Sequence, residues 1–85
     1  MSWRVQVADR ARRELERLPR RDRERILRTL ASMQLDPFGG DIARLHGQRS
    51  TWRRRVGSYR IFFDVNKEAQ MVDILEIVRR TSVTY

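Results

Sequence analysis

The dipeptide Gly57-Ser58 constrains this chain more than any other feature, because the residues on either side of it read as the two strands of a hairpin. Trp52-Arg53-Arg54-Arg55-Val56 precedes it and Tyr59-Arg60-Ile61-Phe62-Phe63-Asp64-Val65 follows, with β-branched and aromatic side chains in both runs. A two-residue link that opens with Gly suits a type II′ turn, which continues the twist of the flanking strands. Such a turn fixes the register. Val56 then faces Tyr59, Arg55 faces Arg60, Arg54 faces Ile61, Arg53 faces Phe62 and Trp52 faces Phe63. Successive side chains of a strand point to opposite faces. Trp52, Val56, Tyr59, Ile61 and Phe63 therefore share a core face, while Arg53, Arg55, Arg60 and Phe62 share the other.

That second face is expected to carry arginines with no acid to neutralise them. Arg44, Arg49, Arg53, Arg54, Arg55 and Arg60 lie between Asp41 and Asp64 with no carboxylate among them. Arg55 opposite Arg60 sets like charges side by side, which destabilises a sheet. Stability alone does not select that pairing; a polyanionic partner explains it. The whole chain leans the same way, with a formal net charge of +8 at pH 7 that points to nucleic acid, an anionic membrane or an acidic protein. Every cation but Lys67 is an arginine, whose planar fork donates two parallel hydrogen bonds to phosphate. The first half instead mixes signs, in Arg13, Glu14, Glu16, Arg17, Arg21, Asp22, Arg23, Glu24 and Arg25. That mixture reads as a solvated helix surface with local ion pairs.

Upstream of the hairpin, Trp3-Arg4-Val5-Gln6-Val7-Ala8 alternates as a half-buried strand does. Asp9 is placed to cap a helix in which Ala11, Leu15 and Leu18 recur at helical spacing, and which Pro19 ends. A second helix uses Ile26, Leu27, Leu30 and Met33, with Ala31 beside them, and stops before Asp36-Pro37. Asp36-Pro37-Phe38-Gly39-Gly40-Asp41 is a loop by its turn chemistry, and Leu45 and Gly47 fall in a connecting segment. A last strand runs from about Met71 to Val78. The order β-α-α-β-β-β predicts an α+β fold. In it an antiparallel meander is covered on its apolar face by the helical hairpin, and the arginines lie on the uncovered face. Eighty-five residues make one domain, 1–85, near the lower size limit for an independent core.

Several chemistries drop out. The chain has no cysteine, and one histidine cannot build a zinc site; the carboxylates lack calcium-loop spacing. No metal and no cofactor are expected. No stretch approaches eighteen apolar residues and no signal-type apolar segment opens the chain, so the expectation is a cytoplasmic protein that does not enter a membrane. An arginine-rich sheet face with one aromatic, Phe62, fits single-stranded RNA, with guanidinium groups on phosphates and a ring on a splayed base. RNA cleavage asks little more than alignment and charge stabilisation, because the 2′-hydroxyl is an internal nucleophile. Proton transfer narrows to His46, in Arg44-Leu45-His46-Gly47, and Tyr85. His46 reads as a surface residue; close arginines would favour the Tyr85 phenolate, although the terminal carboxylate opposes them.

Taken together, the run Arg53-Arg54-Arg55-Val56-Gly57-Ser58-Tyr59-Arg60-Ile61-Phe62-Phe63, the upstream Leu45-His46-Gly47 and the C-terminal Ile77-Val78-Arg79-Arg80-Thr81-Ser82-Val83-Thr84-Tyr85 resemble the RelE/ParE superfamily of type II toxin–antitoxin toxins. The resemblance spans essentially the whole chain. It implies a RelE-like fold and a ribosome-dependent endoribonuclease that cleaves mRNA at the A site by metal-free 2′-hydroxyl attack, inhibiting translation. Carried over residue by residue, Arg60, Arg79 and Tyr85 take the catalytic positions, with Arg80 the alternative to Arg79. Arg53, Arg55, Arg80 and Phe62 take the RNA-binding ones. The implied partners are a cognate antitoxin, mRNA on the ribosome with its rRNA, and operator DNA reached through the antitoxin. A ParE-type toxin that poisons DNA gyrase without cutting RNA is the alternative. Arg54 occupies a position that is apolar in the family and must snorkel or meet a carboxylate.

Overall fold

Gly57 takes a φ of +57° while Ser58 stays at negative φ, the combination a type II′ turn requires. A Cβ at Gly57 would lie 2.6 Å from the tip of the flexible Arg25 side chain, which would have to swing aside, and the positive φ itself strains any L side chain there. The computed structural model describes residues 2–47 and 50–80. Strand β3 (Trp52–Val56) and strand β4 (Tyr59–Asn66) flank this turn in the register Val56 to Tyr59, Arg55 to Arg60, Arg54 to Ile61, Arg53 to Phe62 and Trp52 to Phe63, as the turn type dictates.

The remaining elements are β1 (Arg4–Val7), α1 (Asp9–Glu16), α2 (Arg20–Met33), β2 (Ile42–Arg44) and β5 (Met71–Arg79). The sheet order is β1-β5-β4-β3-β2. Three neighbouring pairs are antiparallel, but β1 runs parallel to β5, from Arg4 beside Met71 to Val7 beside Ile74. Two features go beyond the meander expected from the sequence. One is that parallel edge strand. The other is β2, where Ile42, Ala43 and Arg44 pair with Arg54, Arg53 and Trp52.

Both helices lie on one face of this sheet. Ala11, Leu15, Ile26, Leu30 and Met33 meet Val56, Tyr59, Ile61, Phe63, Val72, Ile74 and Ile77 in one core. Leu27 is not part of it and stands 47% exposed. Adjacent helical residues point about 100° apart, so with Ile26 facing the sheet Leu27 must turn away. Asp9 is the first residue of α1 rather than its cap; Ala8 holds the cap position with no side-chain bond. The Asp9 carboxylate instead accepts a hydrogen bond from Arg12 at 3.4 Å, where it also suits the positive end of the helix dipole. Helix α1 ends at Glu16, and Pro19 marks the entry to α2. At the sheet end away from the turn, Phe38 bridges Trp3 and Trp52 by edge contacts at 6.1 and 5.3 Å.

One irregularity decides which arginines meet. Phe62 pairs with Glu76 but Phe63 pairs with Ile74, so Leu75 is an extra residue in β5. A bulge of one residue exchanges the two faces of the strand beyond it. Val72 and Ile74 point to the helices before the bulge, and Ile77 does so after it. Arg79 falls on the helix side and Arg80 on the open side.

Candidate nucleic-acid interface

The turn, the start of β4 and the end of β5 enclose an open cleft of about 270 Å³, lined by Arg55, Gly57, Ser58, Tyr59, Arg60 and Arg80. Arg55 and Arg60 reach it because the turn register places them directly opposite each other. Arg80 reaches it because its N–H donates to the Ser58 carbonyl at 2.6 Å, extending β5 alongside the turn. Arg53 lies two residues along β3 on the same face. Desolvation first, then the like charges of Arg80, Arg53 and Arg55, hold the Arg60 guanidinium below the ordinary arginine pKa. It remains a cation at neutral pH. The Arg60 Nε and one Arg53 terminal nitrogen are buried with no hydrogen-bond partner among the described residues. Buried donors are ordinarily satisfied, and both of these lie on the arginine face.

The expectation of no neighbouring acid needs one correction. Asp41, brought alongside β3 by the pairing of β2, lies 3.9 Å from Arg55 Nε. Both side chains are about half exposed and the contact is long, so it neutralises little. Among the described residues, Arg53, Arg60 and Arg80 have no carboxylate within 4.0 Å.

The other sequence candidates scatter. Phe62 is half-buried on the arginine face, between Arg53 and Glu76 in register. Arg79 lies 5.9 Å from the centre of the Tyr59 ring, on the opposite side of the sheet from Arg60. His46 is exposed beyond the far end of β3 and does not line the cleft. Tyr85 is outside the described residues. Arg54 snorkels, with no carboxylate within 4.0 Å among the described residues: its guanidinium hydrogen-bonds Ser32 Oγ at 3.4 Å and packs against Gly40. It thereby reaches the end of α2, where a cation suits the dipole.

A support that the sequence did not signal holds the cleft wall. The Tyr59 hydroxyl donates to Asp22 Oδ2 at 2.7 Å, and the residue is 4% exposed. Burial first, then the hydrogen bond and the charge of Asp22, raise the phenol above its usual pKa, with Arg79 pulling the other way. Loss of this charge-assisted bond in Tyr59→Phe is expected to cost about 1.5–3 kcal/mol in urea unfolding. The sign with pH follows. Because the folded-state pKa is raised, the stabilisation is complete below the unfolded value near 10 and is lost as pH climbs through the folded value. The wild-type protein should therefore weaken in alkaline titration by a component that Tyr59→Phe lacks. Parallel pH profiles for the two proteins would contradict the assignment.

Comparison with known proteins bears on the fold and the family. Residues 5–83 match the family model described as the ParE toxin of the type II toxin–antitoxin system, parDE. No curated protein matches. Among solved structures, the fold resembles the archaeal RelE–RelB complex from Pyrococcus horikoshii, with TM-score 0.85 and 25% identity over 98% of this chain and 100% of that one. It also resembles the toxin–antitoxin complex RelBE2 from Mycobacterium tuberculosis, with TM-score 0.83 and 24% identity over 94% and 100% of the two chains. A third neighbour is the isolated E. coli RelE toxin, at TM-score 0.79 and 18% identity over 96% and 88%. With a fold similar to that of these structures and a family match over nearly its whole length, this chain belongs to the ParE toxin family of type II toxin–antitoxin systems, within the RelE/ParE superfamily.

Proposed function

We propose that this toxin is a ribosome-dependent endoribonuclease that cuts mRNA in the A site, and that a cognate antitoxin neutralises it. The observation that carries the reading is the cleft lined by Arg55, Arg60 and Arg80, with no carboxylate in its lining. In this role Arg60 and Arg80 contact the scissile phosphate, and Arg53 and Arg55 hold the neighbouring backbone. Phe62 stacks on a base. The 2′-oxygen attacks phosphorus as its proton leaves to a base, and the 5′-oxygen departs with a proton delivered to it. We assign the base to Tyr85 by resemblance alone. Cations fixed beforehand around the phosphate stabilise charge as it develops, without reorganisation at the moment of reaction. Arg80 takes the catalytic position rather than Arg79, because the bulge in β5 turns Arg79 towards Tyr59.

The partner follows from the same charge. The neighbours from P. horikoshii and M. tuberculosis are toxin–antitoxin complexes; an acidic antitoxin segment laid over this face would meet the same arginines and exclude RNA. The ParE name of the matching family favours a second reading, poisoning of DNA gyrase without RNA cleavage. The two separate in one experiment. mRNA-programmed ribosomes are treated with the toxin and the cuts mapped by primer extension, beside ribosome-free mRNA and a gyrase supercoiling assay. Cuts at A-site codons on ribosomes only are the expected result. Intact mRNA together with inhibited supercoiling would replace it with the gyrase reading.

A further inference from the structure

The open sheet face carries a second like-charged cross-strand pair, of the opposite sign. Asp64 of β4 lies directly opposite Asp73 of β5, both half-buried and both on the face away from the helices. Side chains so paired sit about 5 Å apart, and like charges there destabilise the sheet. Asp64 is in part accounted for, since it accepts the Thr51 N–H at 2.6 Å. For Asp73 no hydrogen bond or ion pair occurs among the described residues; its other neighbour, on β1, is the neutral Gln6. The face thus has two poles. Arg55 opposite Arg60 forms one, at the turn; Asp64 opposite Asp73 forms the other, four residues along β4 or about 13 Å away.

We propose that Asp73, with Asp64, sets the direction of the bound RNA: the backbone crosses the strands at the turn and does not run down them. This rests on the RNA reading of the arginine cleft and adds to it a path. A polyanion laid along β4 from Arg60 would pass Phe62 and meet two carboxylates fixed side by side. One laid across the strand ends meets Arg55, Arg60 and Arg80 in succession, with Arg53 and Phe62 as the next same-face pair inward to take its inner edge. The acidic pair costs the sheet stability as the arginine pair does, and the two costs have one function: together they leave a single orientation in which every phosphate on the face meets a cation. Such repulsion acts by excluding the wrong arrangement, as specificity often does.

The test is the length dependence of RNA binding. Fluorescence anisotropy with labelled oligouridylates of 4 and 15 nucleotides, at low and moderate salt, compares the wild-type protein with Asp73→Asn, an isosteric change. The 4-mer fits on the arginine pole and should bind both proteins equally. The 15-mer is long enough to spread down the strands once the charge is removed, and should bind Asp73→Asn roughly threefold or more tightly at low salt, the gain shrinking as salt screens it. Adding Arg60→Ala should weaken both lengths, which locates the effect on this face. Equal affinity of the two proteins for the 15-mer, or the same gain for both lengths, would overturn the orienting role while leaving the cleft intact. Salt-insensitive or undetectable binding of both lengths by the wild-type protein would overturn the orienting role, and the ribosome cleavage assay would still decide the RNA reading separately.

Discussion

Arg60→Ala should lower mRNA cleavage on programmed ribosomes by about 10²–10³-fold, the loss typical of removing one preorganised charge-stabilising donor. Its fold should survive. Arg60 stands on the face away from the core, so no cavity opens beneath it, and its removal relieves the repulsion with Arg55, Arg53 and Arg80. Circular dichroism should be unchanged and the thermal midpoint equal to the parent's or higher. Stability and activity then move in opposite directions, which is the signature of a residue kept for function at the expense of the fold. Cleavage within a few-fold of wild type would remove Arg60 from the site, and a lowered midpoint would give it a structural role that the geometry does not show.

Phe63→Ala should leave the protein marginally stable or unfolded. Phe63 is completely buried at the centre of β4, with Ile61 and Ile74 beside it in the core. Truncating such a ring costs about 3–5 kcal/mol in lost transfer energy and residual cavity. A domain of this size has only about 4–13 kcal/mol in total, and this one carries two like-charged pairs in its sheet. Urea unfolding followed by tryptophan fluorescence should show the midpoint falling by roughly 2–4 M, or no folded baseline at all. A shift under about 0.5 M, at most a quarter of the fall expected, would mean that the core repacks around the loss. Phe62→Ala, one residue away on the half-exposed face, should by contrast have little effect on the same curve.

That contrast between neighbours was legible in the sequence, because a turn of defined type fixes every pair beyond it. Hairpin register, core face and arginine face all follow from Gly57-Ser58 and a period of two. The bulge was harder to read, although its trace is there: Ile74 and Ile77 are both core residues three apart, which strict alternation cannot produce. Strand β2 left almost no signal, since three residues after a glycine loop are too few to show a period. Its pairing with β3 exists only because β3 offers an edge, and it is what brings Asp41 to Arg55. The Asp22–Tyr59 bond joins residues 37 positions apart on different elements. Nothing local marks such a pair. Leu27 misled for the opposite reason, since an apolar residue in the right composition was one helical step off the right face.

The parallel edge strand has a consequence in time. Strand β1 has a single neighbour, β5, so the first strand made must wait for the last before it can be placed, and pairings this distant in sequence are slow to form. Until β5 docks, the sheet stays unsealed at β1 and the cleft lacks the wall that Arg80 builds beside Ser58. On the proposed function, the arginines that would hold RNA come together only in the last step of folding, so a partly folded chain has no complete site.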